Sequence, residues 1–150
     1  MEQIKEIGKR AQNLVNNNQS QLRTYRNEEY GFEFMYPKDL VIRENAFISY
    51  YSKFNLKILT KVGEQFDPTF LVNIVLPEFA DRSFAGLEKI TTKVNIDGIS
   101  GIQYQYKFNN RQETVIILPL KQYRLILGVY YEEYKDVFNQ ILASFKFLKQ

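Results

Sequence analysis

Tyr30, Phe32, Phe34 and Tyr36 alternate with Gly31, Glu33 and Met35 until Pro37 stops the run. A period of two marks a strand with one buried face, and this one follows a turn at Asn27-Glu28-Glu29. Upstream, Ile4, Ile7, Ala11, Leu14 and Val15 recur at helical spacing while Glu2, Lys5, Glu6, Lys9 and Arg10 fill the opposite side. That pattern predicts an amphipathic helix, ended by the turn-favouring residues Asn16-Asn17-Asn18-Gln19-Ser20. Leu40 to Ile42, Ala46 to Tyr51 and Leu56 to Thr60 read as short extended pieces, with Gly63 and Asp67-Pro68 punctuating the loop that follows.

Phe70 to Leu76 is apolar except at Asn73, and Val115 to Leu118 is apolar throughout after Thr114. Such runs belong to strands covered on both faces. Ile90, Thr92, Val94 and Ile96 alternate with polar residues, as do Ile102, Tyr104, Tyr106 and Phe108, which predicts two strands with one wet face. Asp97-Gly98 through Gly101 is expected to turn the chain between them, Asn109-Asn110-Arg111 to form the next turn, and Lys121-Gln122 to lead into a last strand over Tyr123 to Tyr131. Glu132 to Phe145 places Tyr134, Val137, Phe138, Ile141, Leu142 and Phe145 on one stripe, with acids in its first turn, and predicts a helix. Pro77 to Leu87 fits a short helix or a loop.

An antiparallel meander with strands buried on both faces needs a layer on each side. The expected fold is α+β, a three-layer α/β/α sandwich around a central, mostly antiparallel sheet. Residues 1–20 form the helix and linker, and 21–150 form one domain.

Composition narrows the chemistry. The 150 residues contain no cysteine and no histidine. The first absence excludes disulfides, thiol catalysis and thiolate-held metals; the second removes the usual general base near neutral pH and the commonest transition-metal ligand. A net charge of +3 is a solubility feature before it is a nucleic-acid footprint. The longest apolar run, Val115 to Leu120, falls far short of the roughly 20 residues that span a bilayer. Met1-Glu2-Gln3-Ile4-Lys5 has no apolar signal region, which leaves a cytoplasmic protein or one whose anchoring segment lies outside this sequence.

Gly98-Ile99-Ser100-Gly101-Ile102 imitates a nucleophile elbow but lacks the final glycine and any histidine; its glycines are expected to serve turns. Glu78 and Asp81 have no specific calcium-binding spacing, and no phosphate-cradling loop is present. Neither a catalytic residue, nor a metal site, nor a cofactor is assigned. Lys107, Arg111, Lys121 and Arg124 near the meander turns offer a basic, aromatic-rich surface, against which stands the burial of Tyr104 and Tyr106 as strand residues, so nucleic acid is not the expected partner. The better candidates for contact with another protein are Phe66, Phe70, Phe79 and Phe84, taken as loop aromatics.

Three stretches carry a family resemblance: Tyr25 through Pro37, Asn95-Ile96-Asp97-Gly98-Ile99-Ser100-Gly101, and Phe138-Asn139-Gln140-Ile141-Leu142-Ala143-Ser144-Phe145-Lys146-Phe147. Together they resemble PsbP-like domains over Leu22 to Leu148. The resemblance implies the α/β/α sandwich and a setting in which bacterial members often occur as lipoproteins or behind an N-terminal membrane anchor, making residues 1–20 a membrane-proximal lead-in. It includes the extrinsic subunit of photosystem II and, on a similar fold, a Ran-binding transport factor, which implies a non-enzymatic accessory or protein-binding role, extracytoplasmic and membrane-tethered. An intracellular adaptor on the same fold, or a hydrolase or small-ligand-binding protein, are the alternatives. The histidine-based metal binding of some members has no residue here to fall on.

Overall fold

The structure, a computed structural model, describes residues 21–45, 49–62 and 65–149, with side chains described outside 61–67. The predicted N-terminal helix and its linker lie outside the described residues. The elements run β1 (Leu22–Asn27), β2 (Phe32–Pro37), β3 (Val41–Glu44), β4 (Ser52–Val62), β5 (Gln65–Val75), α1 (Pro77–Ser83), β6 (Ile90–Ile96), β7 (Ile99–Phe108), β8 (Arg111–Leu120), β9 (Tyr123–Val129), a 3₁₀ turn (Glu132–Tyr134), α2 (Lys135–Ser144) and β10 (Lys146–Phe147).

Seven strands form one sheet in the order β3-β4-β5-β9-β8-β7-β6, and β1-β2-β10 form a second, three-stranded sheet. Every pairing among the described strands is antiparallel. The meander from β6 to β9 follows the predicted alternation, with tighter turns. Asp97 and Gly98 have φ of 50° and 86°, and Asn109 and Asn110 have φ of 50° and 61°, as two-residue hairpin turns require. Ile99 to Gly101 and Arg111 therefore belong to strands. Gly101 serves close approach and not turning, because a Cβ there would stand 2.4 Å from Leu118 Cδ2 and 2.5 Å from the Ile117 carbonyl oxygen.

Two other expectations need correcting, and one open alternative is resolved. Of the extended piece expected over Ala46 to Tyr51, residues 46–48 lie outside the described residues, Ser49 to Tyr51 is irregular, and the strand begins at Ser52. Asp67-Pro68 does not break the chain: it lies inside β5 beside a bulge, where Ile58 pairs with Phe70 but Leu59 pairs with Pro68. The extra residue, Thr69, is fully buried and donates its hydroxyl to the Ile58 carbonyl at 2.9 Å, and β9 pairs only with Leu71 to Val75, so the missing proline N–H leaves no gap on that side. Pro77–Ser83 is helical, with proline in the first turn, where its lack of an N–H costs nothing.

Alternate residues of the large sheet feed two apolar clusters. Leu56, Ile58, Val72, Ile74, Ile116, Leu118, Leu125 and Leu127 join Val137, Phe138 and Ile141 of α2 and Phe32 and Phe34 of β2. Val75, Val115 and Ile126 join Ala80 of α1, with Phe79, Phe84, Leu87, Tyr104 and Ile117 packed around them. Since successive strand residues point to opposite faces, α1 and α2 lie against opposite faces of the sheet.

The three stretches that carry the resemblance meet in space. Glu33 and Phe32 pair with Lys146 and Phe147, and the Leu148 N–H donates to the Gly31 carbonyl at 2.9 Å. Asp97, in the β6–β7 turn, accepts the Phe147 N–H at 2.8 Å. Phe145 stacks on Phe32 and Phe34 at 5.5 and 5.9 Å. These motifs build a junction between the two sheets.

Candidate functional site

The sheet face beneath α1 is only half covered. The helix is fastened at both ends by aromatic contacts: Phe79 stacks on Tyr51 at 5.7 Å, and Phe84 lies 5.5 Å from Tyr104 and 6.0 Å from Tyr106. Behind it, the Lys89 ammonium donates to the Phe84 carbonyl at 2.8 Å and sits 5.0 Å over the Tyr104 ring. With seven residues, α1 spans about 10 Å, too little to shield strands of ten residues such as β7 and β8.

Past the helix lies an open cleft of about 710 Å³. Its floor is Ile102, Tyr104, Ile117 and Pro119; Ala80 and Asp81 of α1 form one wall, and Lys93 of β6 and Arg124 of β9 supply cationic groups. Ile102 is 41 % exposed, a branched apolar side chain standing open in the middle of a strand. Arg124 donates to the Tyr123 carbonyl at 3.1 Å, and neither it nor Lys93 forms an ion pair with a described residue. Two cations against the one carboxylate of Asp81 leave a net positive lining over the apolar floor, suited to holding an apolar group that carries negative charge.

A second cluster lies at the other end of β8. Glu113, 5 % exposed, accepts from the Tyr106 hydroxyl at 3.1 Å and from the Arg111 guanidinium at 3.2 Å, while that guanidinium lies 5.4 Å over Tyr131. Burial first, and the Glu113 charge second, raise the Tyr106 phenol above its ordinary pKa, and the same two causes raise Tyr130. Phenols held this firmly protonated are poor bases, and both Glu113 oxygens are engaged, so the cluster is suited to structure. The sequence signal for it is present in retrospect: Arg111 and Glu113 share a strand face, and the register sets Tyr106 directly opposite Glu113.

The four aromatics proposed for partner contact do not form one surface. Phe70 lies in β5, 1 % exposed, packed 5.5 Å from Phe34 and 5.4 Å from Phe138; the bulge at Thr69 extends the strand through what reads as a loop, and the residue is core. Phe66, also in β5, pairs with Lys61 of β4, its side chain outside the described residues. Phe79 and Phe84 are half-buried and seat α1. The four basic residues are also separated: Lys107 and Arg111 flank one end of β8 and Lys121 and Arg124 the other, about 30 Å apart, with Arg111 committed to Glu113. Ser100 lies in β7 and lines the cleft. Glu78 and Asp81 are exposed on α1, and among the described residues no group of three or more acidic side chains could hold a metal ion. Sequence reasoning missed Ile102, Lys93 and Pro119 as site residues.

No protein-family model matches the chain, and no curated protein matches it. Solved structures do. The chain is an α+β domain built on a large antiparallel sheet, and the cyanobacterial PsbP (CyanoP) from Synechocystis sp. PCC 6803 is similar to it at a TM-score of 0.56 and 13% sequence identity, covering 85% of this chain and 93% of that one. The fold is PsbP-like, and at that identity the likeness shows the fold alone. LpqN of Mycobacterium tuberculosis, involved in cell envelope biogenesis, matches at a TM-score of 0.46 and 15% identity over 90% of this chain and 95% of its own, too low a score to bear on fold or function. No helix among the described residues is long and apolar enough to cross a membrane.

Proposed function

We propose that this is a non-enzymatic accessory domain that binds another protein through the half-covered sheet face, displayed outside the cytoplasmic membrane by an anchoring segment beyond this sequence. The observation that carries the binding role is Ile102, exposed on the floor of a cleft flanked by Lys93 and Arg124. Exposed aliphatic surface rimmed by polar groups is the usual composition of an interaction site. The PsbP-like fold supports the accessory role by analogy, and the extracytoplasmic setting rests on the family resemblance.

Replacing Ile102 and Arg124 together by glutamate tests the binding role. The double variant is expected to keep its melting temperature within a few degrees and to lose the protein that co-purifies with the wild-type chain from its native cell. Undiminished co-purification by a folded double variant would remove the cleft from the reading. Protease added outside an intact cytoplasmic membrane is expected to degrade the protein; protection until the membrane is opened would place it in the cytoplasm and leave the intracellular adaptor as the better description.

A further inference from the structure

The seven-stranded sheet ends in two outer strands of different character. β3 has four residues, two of them charged, and leads into Asn45 at φ 52°. β6 has seven residues in unbroken register with β7, from Ile90 opposite Gln105 to Ile96 opposite Ile99. It contains no proline, no bulge and a single charge, Lys93. Sheet edges are ordinarily blunted by such devices, and β6 has few of them. β1, the outer strand of the small sheet, carries two guanidinium groups, Arg23 and Arg26, the second paired with Glu28 and Glu33.

The two-residue turn at Asp97-Gly98 makes Ile96 and Ile99 a hydrogen-bonded pair, and such pairs recur at every second residue of an antiparallel ladder. Ile90, Thr92, Val94 and Ile96 therefore spend their backbone groups on β7, while Thr91, Lys93 and Asn95 direct N–H and C=O away from the sheet. These three residues are exposed, and no described strand pairs with that edge. Their side chains lie on the α1 face, beside the cleft; Ile90, Val94 and Ile96 lie on the other, Ile90 being 66 % exposed.

We propose that the outer edge of β6 takes an extended segment of a partner protein as an added strand, with apolar side chains on the side of Ile90 and Val94 and carboxylates on the side of Lys93. The inference rests on the protein-binding reading above and names the chemistry of the partner. Backbone pairing supplies attachment, and alternate side chains supply selectivity. A second copy of the chain fits poorly, because full antiparallel overlap of two β6 strands sets Lys93 against Lys93, and like charges directly opposite one another are destabilising. An acidic strand turns that repulsion into attraction.

The probe is a synthetic Val-Glu-Val-Glu-Val-Glu-Val peptide, with Val-Lys-Val-Lys-Val-Lys-Val as its counterpart, titrated into the isotope-labelled chain while amide hydrogen exchange is followed residue by residue. The glutamate peptide is expected to slow exchange at Thr91, Lys93 and Asn95 by about tenfold or more and to leave Thr92 and Val94 unchanged, while the lysine peptide does not bind. Lys93→Glu reverses that preference. Thr91→Pro, which removes an outward N–H and no ladder bond, weakens binding by about tenfold, and the exchange pattern of the wild-type chain does not depend on that variant folding. Equal binding of the two peptides, binding without protection of the three amides, or their concentration-dependent protection without peptide would each overturn the proposal. If the natural partner is lost with glutamate at Ile102 and Arg124 but fully retained by Thr91→Pro, the edge is excluded and the cleft reading stands; retention by both excludes both.

Discussion

The two faces of the seven-stranded sheet come from alternate residues of the same strands and end in different states. On one, α2 and the three-stranded sheet close over a core in which Phe32, Phe34, Val137, Phe138 and Ile141 have no exposure at all. On the other, a seven-residue helix covers Val75, Val115 and Ile126 and stops, leaving Ile102 in water. Apolar strand residues are needed on both sides, but only the first side has a cover matched to their length. A sheet face prepared for packing and left partly open is available to bind, and under the proposed function the difference gives stability to one face and recognition to the other.

The strongest way to break that assignment is to truncate one aromatic on each side. Phe138→Ala is expected to cost about 3–5 kcal/mol, as for a fully buried ring, and the half-buried Phe79→Ala on the order of 1–2 kcal/mol, both read from chemical denaturation. Equal losses would mean that α1 is as integral to the core as α2. Gly101→Ala tests the join between β7 and β8 beneath the cleft. The added methyl meets a backbone oxygen that cannot move alone, and a loss of about 1–3 kcal/mol is expected.

A smaller effect is read from pH. A phenol whose folded pKa lies above its unfolded value near 10.0 stabilises fully below that value, and the contribution is lost as pH rises through the folded pKa. Stability should therefore fall as pH is raised beyond about 10, with a shallower slope in Tyr106→Phe; an unchanged slope would show that the folded chain does not hold the Tyr106 phenol protonated. Smallest of all, Ile102→Ala is expected to change stability by no more than about 0.5 kcal/mol. A loss above about 2 kcal/mol would make Ile102 a core residue and close the cleft.

Much of the covered face is legible in the sequence. Alternation at Phe32, Phe34 and Tyr36 and the stripe at Val137, Phe138 and Ile141 name both partners of that core before any coordinates, because periodicity reports which side of an element is buried. It does not report how far the covering element reaches. Ile102 shares its stripe with Tyr104 and Tyr106, yet it is 41 % exposed and Tyr106 8 %, because the Phe84 ring at the end of α1 packs on the two tyrosines, and no local pattern encodes where a distant helix ends. The short strands β1 and β10 escape notice for a related reason: β10 has two residues, and it is a strand only through its pairing with β2, more than a hundred positions away. Pro68 misleads in the opposite direction, since a bulge absorbs it.

Ile102 and Met35 are comparably exposed, at 41 and 44 %, and they stand on opposite sides of this comparison, one on the cleft floor and the other on the small sheet. A photo-crosslinking amino acid placed at each position in turn, in the full chain in its native cell, tests the division most directly. Crosslinks to one defined protein from position 102, and none from position 35, are expected; the reverse pattern, or equal capture from both, would contradict the assignment of recognition to the α1 face.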